Sequence, residues 1–171
     1  MILRHRAGAI FCTLAAVLAL PGCHSVDIDD DVVYGRVYVP FTTAGDWEMY
    51  GVSGAMQSRR FILWDRVPAN YPYQDYCFTG FGGVLLACTA HSDYVAYDLA
   101  CPVEHSQKVT VAIDPETNFA VCSKCRSVYD VFQLQEAPGY PVSGPARTEG
   151  FALTRYRLVF NADNRYALIT N

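Results

Sequence analysis

The chain has 171 residues, 51% of them hydrophobic and 13% aromatic, with 17 acidic against 13 basic residues and a net charge of −4. That balance argues against nucleic acid or an anionic membrane surface as a partner. The length suits one domain with a substantial core.

Arg4, His5 and Arg6 open the chain, and the apolar run Ala9 to Leu20 comes next. The run is shorter than the roughly 20 apolar residues a spanning helix needs, and with its basic start it reads as a secretory signal over residues 1–22. The tetrapeptide Leu20-Pro21-Gly22-Cys23 resembles a bacterial lipobox. That resemblance implies cleavage before Cys23, lipidation of its sulfur by acyl chains such as palmitate, and anchoring of a cell-envelope lipoprotein to the outer membrane, on its periplasmic or surface face. Residues 23–31 carry the run VDIDDD and read as a solvated acidic tether; they also resemble the acidic stretches of surface-exported lipoproteins of Bacteroides-like bacteria. Removing residues 1–22 takes Arg4 and Arg6 away and leaves the remainder more acidic.

From residue 32 to 171 the pattern is that of a single all-β domain. VVYGRVYVP alternates to Pro40, FILWDRVP ends at Pro68, and GVLLACTA and DYVAYDLA flank a short turn at His91 and Ser92. KVTVAI and NFAVC flank Asp114-Pro115-Glu116-Thr117, and FALTRYRLVF and RYALIT flank Asn161-Ala162-Asp163-Asn164, both turn-forming stretches. The abundance of Tyr, Phe and Val suits pleated, half-buried surfaces. A weak helical periodicity is confined to residues 54–61, which read as one turn of helix or a loop, and residues 69–82 read as a long loop or an Ω-type excursion.

Chemistry concentrates in three cysteines. Cys101 ends one strand, and Cys122 and Cys125 form a Cys-x-x-Cys at the end of the next hairpin. A hairpin returns its end to its start, so two cysteine-bearing loops are expected side by side, as a metal or a small cluster requires. His105 and Glu104 lie just after Cys101 and are the candidate fourth ligands. Asp98 and Asp130 follow tyrosines at strand ends and are expected to accept backbone N–H groups. Cys77 and Cys88 are candidates for a disulfide between the 69–82 loop and the next strand, or are buried small apolar side chains.

The order of these features from Gly83 to Thr170 resembles a Rieske domain, an antiparallel β-sandwich carrying a [2Fe–2S] cluster on two loops. The carrying motifs are Cys101-Pro102, the second loop from Cys122 through Cys125, Arg126, Ser127, Tyr129 and Asp130, then Gly144-Pro145-Ala146 and Leu153-x-x-Tyr156. The chain is also similar to Rieske-like bacterial lipoproteins whose second loop holds Cys-x-x-Cys. The resemblance implies a cluster, electron transfer to a protein redox partner, and supporting places beside the ligands for Ser127, Tyr129 and Asp98. Two departures bear on it. The position of the family's first histidine is Val103, which cannot ligate, and that of the second is Cys125. Three states of the site therefore stand open: a [2Fe–2S] cluster, one zinc ion, or a Cys122–Cys125 disulfide without metal. No catalytic constellation is visible, so an electron carrier or a binding module is expected rather than an enzyme.

Overall fold

The computed structural model describes residues 35–161 and 166–171. The signal, Cys23, the acidic tether, residues 32–34 and most of the 161–164 turn lie outside them. The described strands are β1 (Val37–Phe41), β2 (Ser58–Phe61), β3 (Phe78–Thr79), β4 (Val84–Cys88), β5 (Tyr94–Asp98), β6 (Val111–Ile113), β7 (Ala120–Cys122), β8 (Val128–Asp130), β9 (Tyr140–Ser143), β10 (Arg155–Phe160) and β11 (Ala167–Thr170). Two short helices, α1 (Ala44–Tyr50) and α2 (Pro145–Glu149), complete the elements. Every strand pairing is antiparallel. The expected all-β class with two cysteine-bearing loops is the one found.

Seven strands form one sheet in the order β2-β4-β5-β10-β11-β1-β3, and four form a second in the order β6-β7-β8-β9. Strands β4 and β5 join the two layers. Successive strand side chains point to opposite faces, and here both faces are covered. Val84, Leu86, Cys88 and Ala96 enter one core, while Leu85, Ala87, Val95 and Tyr97 enter a second one. That second core is completed by Val111, Ala120, Cys122 and Tyr129 of the smaller sheet. An uninterrupted apolar run such as Val84–Cys88 is what a doubly covered strand needs.

Three stretches differ from the sequence expectation. Residues 44–50 form α1, for which no periodicity spoke. Its start is a capping box, with Thr43 Oγ1 accepting the Asp46 N–H at 3.0 Å and the Asp46 carboxylate accepting the Thr43 N–H at 2.9 Å. The weak helix over 54–61 is not formed. Met56 takes a left-handed φ of 62° and Ser58–Phe61 becomes the edge strand β2, while Ile62 and Val67 bridge to close a tight turn after it. Residues 69–77 form the expected loop, but Tyr71, Tyr73 and Cys77 pack it into the first core, and Phe78–Thr79 form β3. Tyr71 packs on Phe41, Phe61 and Tyr73 with ring centroids 6.1, 5.2 and 4.7 Å away, and Tyr71 donates its hydroxyl to the Pro40 carbonyl.

Candidate metal centre

Cys101 is placed by a clamp at the end of β5. The Asp98 carboxylate accepts the N–H groups of Phe81 (2.8 Å), Gly82 (2.9 Å) and Ala100 (2.7 Å), and also the Tyr156 hydroxyl. These bonds tie the chain leaving β5 to the segment entering β4. Burial outweighs the four donors and holds the Asp98 carboxyl above the ordinary carboxylate range. Cys101 then donates its N–H to Val109 (2.9 Å) and accepts that of Glu104 (3.1 Å), which closes the first loop into a turn.

The second loop grows from the β6–β7 hairpin. Asp114 organises its turn by accepting the Glu116 N–H at 3.0 Å and the Thr117 hydroxyl at 2.9 Å. Strand β7 then delivers Cys122 opposite Val111 of β6. The loop closes where Cys122 donates its N–H to Ser127 (2.9 Å) and accepts that of Arg126 (3.1 Å), with Arg126 left-handed at φ 62°. Cys125 stands at the tip of this closure. Beyond the loop, Asp130 fixes the chain leaving β8 by accepting the N–H groups of Leu134, Gln135 and Glu136 at 3.0, 2.6 and 2.9 Å.

The sulfurs of Cys101, Cys122 and Cys125 all lie within 4.8 Å of one another, and those of Cys101 and Cys125 are 3.6 Å apart. Cys101 and Cys122 are buried; Cys125 is half-buried. Two hydroxyls face this group. Tyr129 Oη is 3.4 Å from Cys101 Sγ, and Ser127 Oγ is 3.1 Å from Cys125 Sγ. Because Ser127 Oγ accepts the Ala146 N–H at 3.0 Å, its own proton is free to turn toward a Cys125 thiolate. Burial pushes the Cys101 thiol up to about 12. Cys125 goes the other way: its burial cost is outweighed by the Ser127 side chain and N–H and by the two neighbouring thiols, so it falls below the ordinary thiol value. Three convergent thiols form a donor set suited to a metal ion or an iron–sulfur group.

Neither Glu104 nor His105 belongs to the group gathered within 4.8 Å. The Glu104 carboxylate forms an ion pair with Lys124, which sits between Cys122 and Cys125, so a salt bridge ties the first loop to the second. His105 takes a left-handed φ of 44° and its ring meets Phe151 edge-on at 6.3 Å. Val103 packs against the second core. None of the five described cysteines is in a disulfide: Cys77 and Cys88 are buried free thiols in the first core, and Gln74 donates its N–H to Cys77 Sγ at 3.3 Å. His91 stays exposed in its turn.

Sequence reasoning passed over the ion pair between the loops, whose only mark is a lysine inside the Cys-x-x-Cys and a glutamate three residues after Cys101. It also left unexplained why glycine precedes Pro145. Gly144 has φ 83°, and a Cβ there would stand 2.8 Å from Ser127 Cα. The backbone before α2 therefore presses directly on the second loop. Gly144→Ala is expected to displace Ser127 and lower metal affinity by roughly 10- to 100-fold, the usual effect of disturbing groups that orient ligands. A chelator-competition titration checks it, and unchanged affinity would contradict the role given to Gly144.

No protein-family model and no curated protein matches the chain. Among solved structures it is similar to a Mycobacterium tuberculosis protein described as an NADH-dependent nitrite reductase small subunit. The identity is 8%, the TM-score is 0.38, and the match covers 80% of this chain and 96% of that one. A likeness that loose carries no argument, and the reading of the site rests on its own geometry.

Proposed function

We propose that this chain is a tethered metal-binding module in which Cys101, Cys122 and Cys125 hold one tetrahedral ion of the zinc type, stapling two loops of a Rieske-like β-fold. The observation that carries this is the sulfur spacing. With bonds of about 2.3 Å, sulfurs on one tetrahedral ion stand about 3.8 Å apart, close to the 3.6 Å between Cys101 and Cys125. A two-iron cluster gives each iron two outer ligands, so three thiolates must divide between irons and spread by the iron–iron separation. Sulfurs all within 4.8 Å favour the single ion. Bound there, the ion would supply a rigid crosslink between the loops. The chain's own part is to deliver three thiolates, hydrogen-bond them with the Ser127 and Tyr129 hydroxyls, and brace Ser127 with Gly144 and Ala146. Metal binding displaces the proton of the buried Cys101 thiol, so it weakens in acid.

The candidates for the fourth ligand are Glu104 and His105 of the first loop, both of which lie outside the group of three sulfurs. Glu104 is the better placed of the two, because its carboxylate already reaches the second loop at Lys124, whereas His105 packs on Phe151. Glu104→Ala should weaken metal binding by at least about tenfold and His105→Ala by less. The reverse order in a competition titration would assign His105 instead.

A second reading, electron transfer to a protein partner through a [2Fe–2S] cluster, is favoured by the hydroxyls of Tyr129 and Ser127. Hydrogen bonds to ligand sulfurs help set the potential of such a centre, beside its charge and exposure. Colour separates the two: a cluster protein is brown and bleaches with dithionite, and a zinc protein is colourless.

The tether belongs to the same proposal. The Leu20-Pro21-Gly22-Cys23 motif supports lipidation at Cys23 and residence in the bacterial cell envelope, since two acyl chains anchor a protein stably. In cell fractionation, Cys23→Ser should move the protein from the membrane to the soluble fraction; full retention in membranes would contradict the anchor.

A further inference from the structure

The two sheets end side by side. The edge strands β2 and β6 flank an open groove of about 410 Å³, whose apolar floor is built by Leu85, Val67 and Pro68. Main-chain groups on both walls lack partners among the described residues. The β2–β4 ladder begins where Gln57 accepts the Cys88 N–H. Alternation along the strand therefore turns the N–H and C=O of Ser58 and Arg60 away from β4. Ile62 points the same way, and its two groups are taken by Val67; those of Ser58 and Arg60 are left open. On β6, Val111 gives its N–H to Leu99, so two residues on, the Ile113 N–H also points away from β7.

Charge singles out this groove further. Arg60 pairs directly with Leu85, whose side chain enters the second core, so Arg60 stands on the same face, over the groove. Arg59 pairs with Leu86, whose side chain enters the first core, so its own side chain takes the opposite face. Arg60 is exposed and has no ion-pair partner among the described residues.

We propose that the groove takes an extended acidic segment of a partner protein. The segment adds to the open edge at Ser58 and Arg60 through main-chain hydrogen bonds, in the manner of β-strand addition. Its apolar side chains settle on Val67 and Pro68, and a carboxylate meets Arg60. Arginines on an edge strand keep neutral strands from pairing there; carboxylates on the partner turn that guard into the element of recognition. Arg60 lies outside both cysteine loops, so the groove stands or falls independently of the metal.

The test is fluorescence polarisation of a labelled Glu-Val-Glu-Val-Glu-Val peptide, and of its lysine counterpart, titrated with the full chain. The glutamate peptide should bind, more weakly as salt is raised, and the lysine peptide should not. Arg60→Glu should weaken the glutamate peptide by at least about tenfold, as loss of a charge-assisted hydrogen bond does, and admit the lysine peptide. Arg60→Gln gives the same direction with less perturbation, and unchanged metal content and circular dichroism certify the fold of both variants. Equal binding of the two peptides, or no effect of either variant, overturns the proposal. Competition by free glutarate as strong as by unlabelled peptide would reassign the groove to small carboxylates. A dimer of the chain in sedimentation, abolished by Arg60→Glu, would reassign it to a second copy.

Discussion

Cys125→Ala is expected to strip the metal from the protein. Three sulfurs lie within 4.8 Å of one another, and Cys125 is the one closest to solvent. Removing it leaves a buried pair of thiols with no third thiolate to complete the site. The loss in affinity should exceed the roughly 100-fold that comes from disturbing a supporting group. Because the folded site binds the ion and the unfolded chain does not hold it in place, the effect reaches stability. A chelator should lower the melting temperature of the parent protein and leave that of Cys125→Ala unchanged. Cys88→Ala is the matched control, since Cys88 sits in the other core and should keep the metal. Stoichiometric metal in Cys125→Ala would contradict the three-thiolate site.

Asp98→Ala is the second change with a large expected effect, and it acts on folding. The substitution orphans the N–H groups of Phe81, Gly82 and Ala100 in an environment where Asp98 is 3% exposed. Each unsatisfied buried donor costs about 1–3 kcal/mol, so the total should reach at least about 3 kcal/mol in denaturant unfolding. A cost under about 1 kcal/mol would show that water or repacking replaces the carboxylate. The pH dependence carries its own sign. Burial raises the Asp98 carboxyl above its unfolded value, so the folded state binds that proton more tightly. The stability this contributes is present below the unfolded value and is lost as pH rises through the folded one. In Asp98→Asn that decline should vanish, and its persistence would assign it to another group.

How far the sequence carried is best seen at particular residues. The apolar runs that became β4 and β5 were legible because a strand covered on both faces must be apolar throughout. The approach of Cys101 to Cys122 and Cys125 was legible because a hairpin turned by Asp114 brings its ends together. Other features left no periodic trace. Helix α1 spans only Ala44–Tyr50 and buries no residue completely, so its start rests on the local bonds of Thr43 and Asp46 and not on an apolar stripe. Strand β2 is an edge strand bearing Ser58, Arg59 and Arg60, and with one neighbour it needs no alternation. Residues 69–82 look like a loop because Pro72, Gly80 and Gly82 interrupt them, yet Tyr71 and Tyr73 are core residues whose hydroxyls find carbonyl acceptors at Pro40 and Val67. Spacing alone did not separate Glu104 from His105, since the turn after Cys101 sends them to different neighbours, Lys124 and Phe151.

Metal and acid-labile sulfide analysis of the protein purified without oxygen tests the central claim most directly. One tetrahedral ion on Cys101, Cys122 and Cys125 predicts about one zinc per chain, no sulfide and no colour. About two irons with matching sulfide would contradict the single-ion site and establish the cluster in its place.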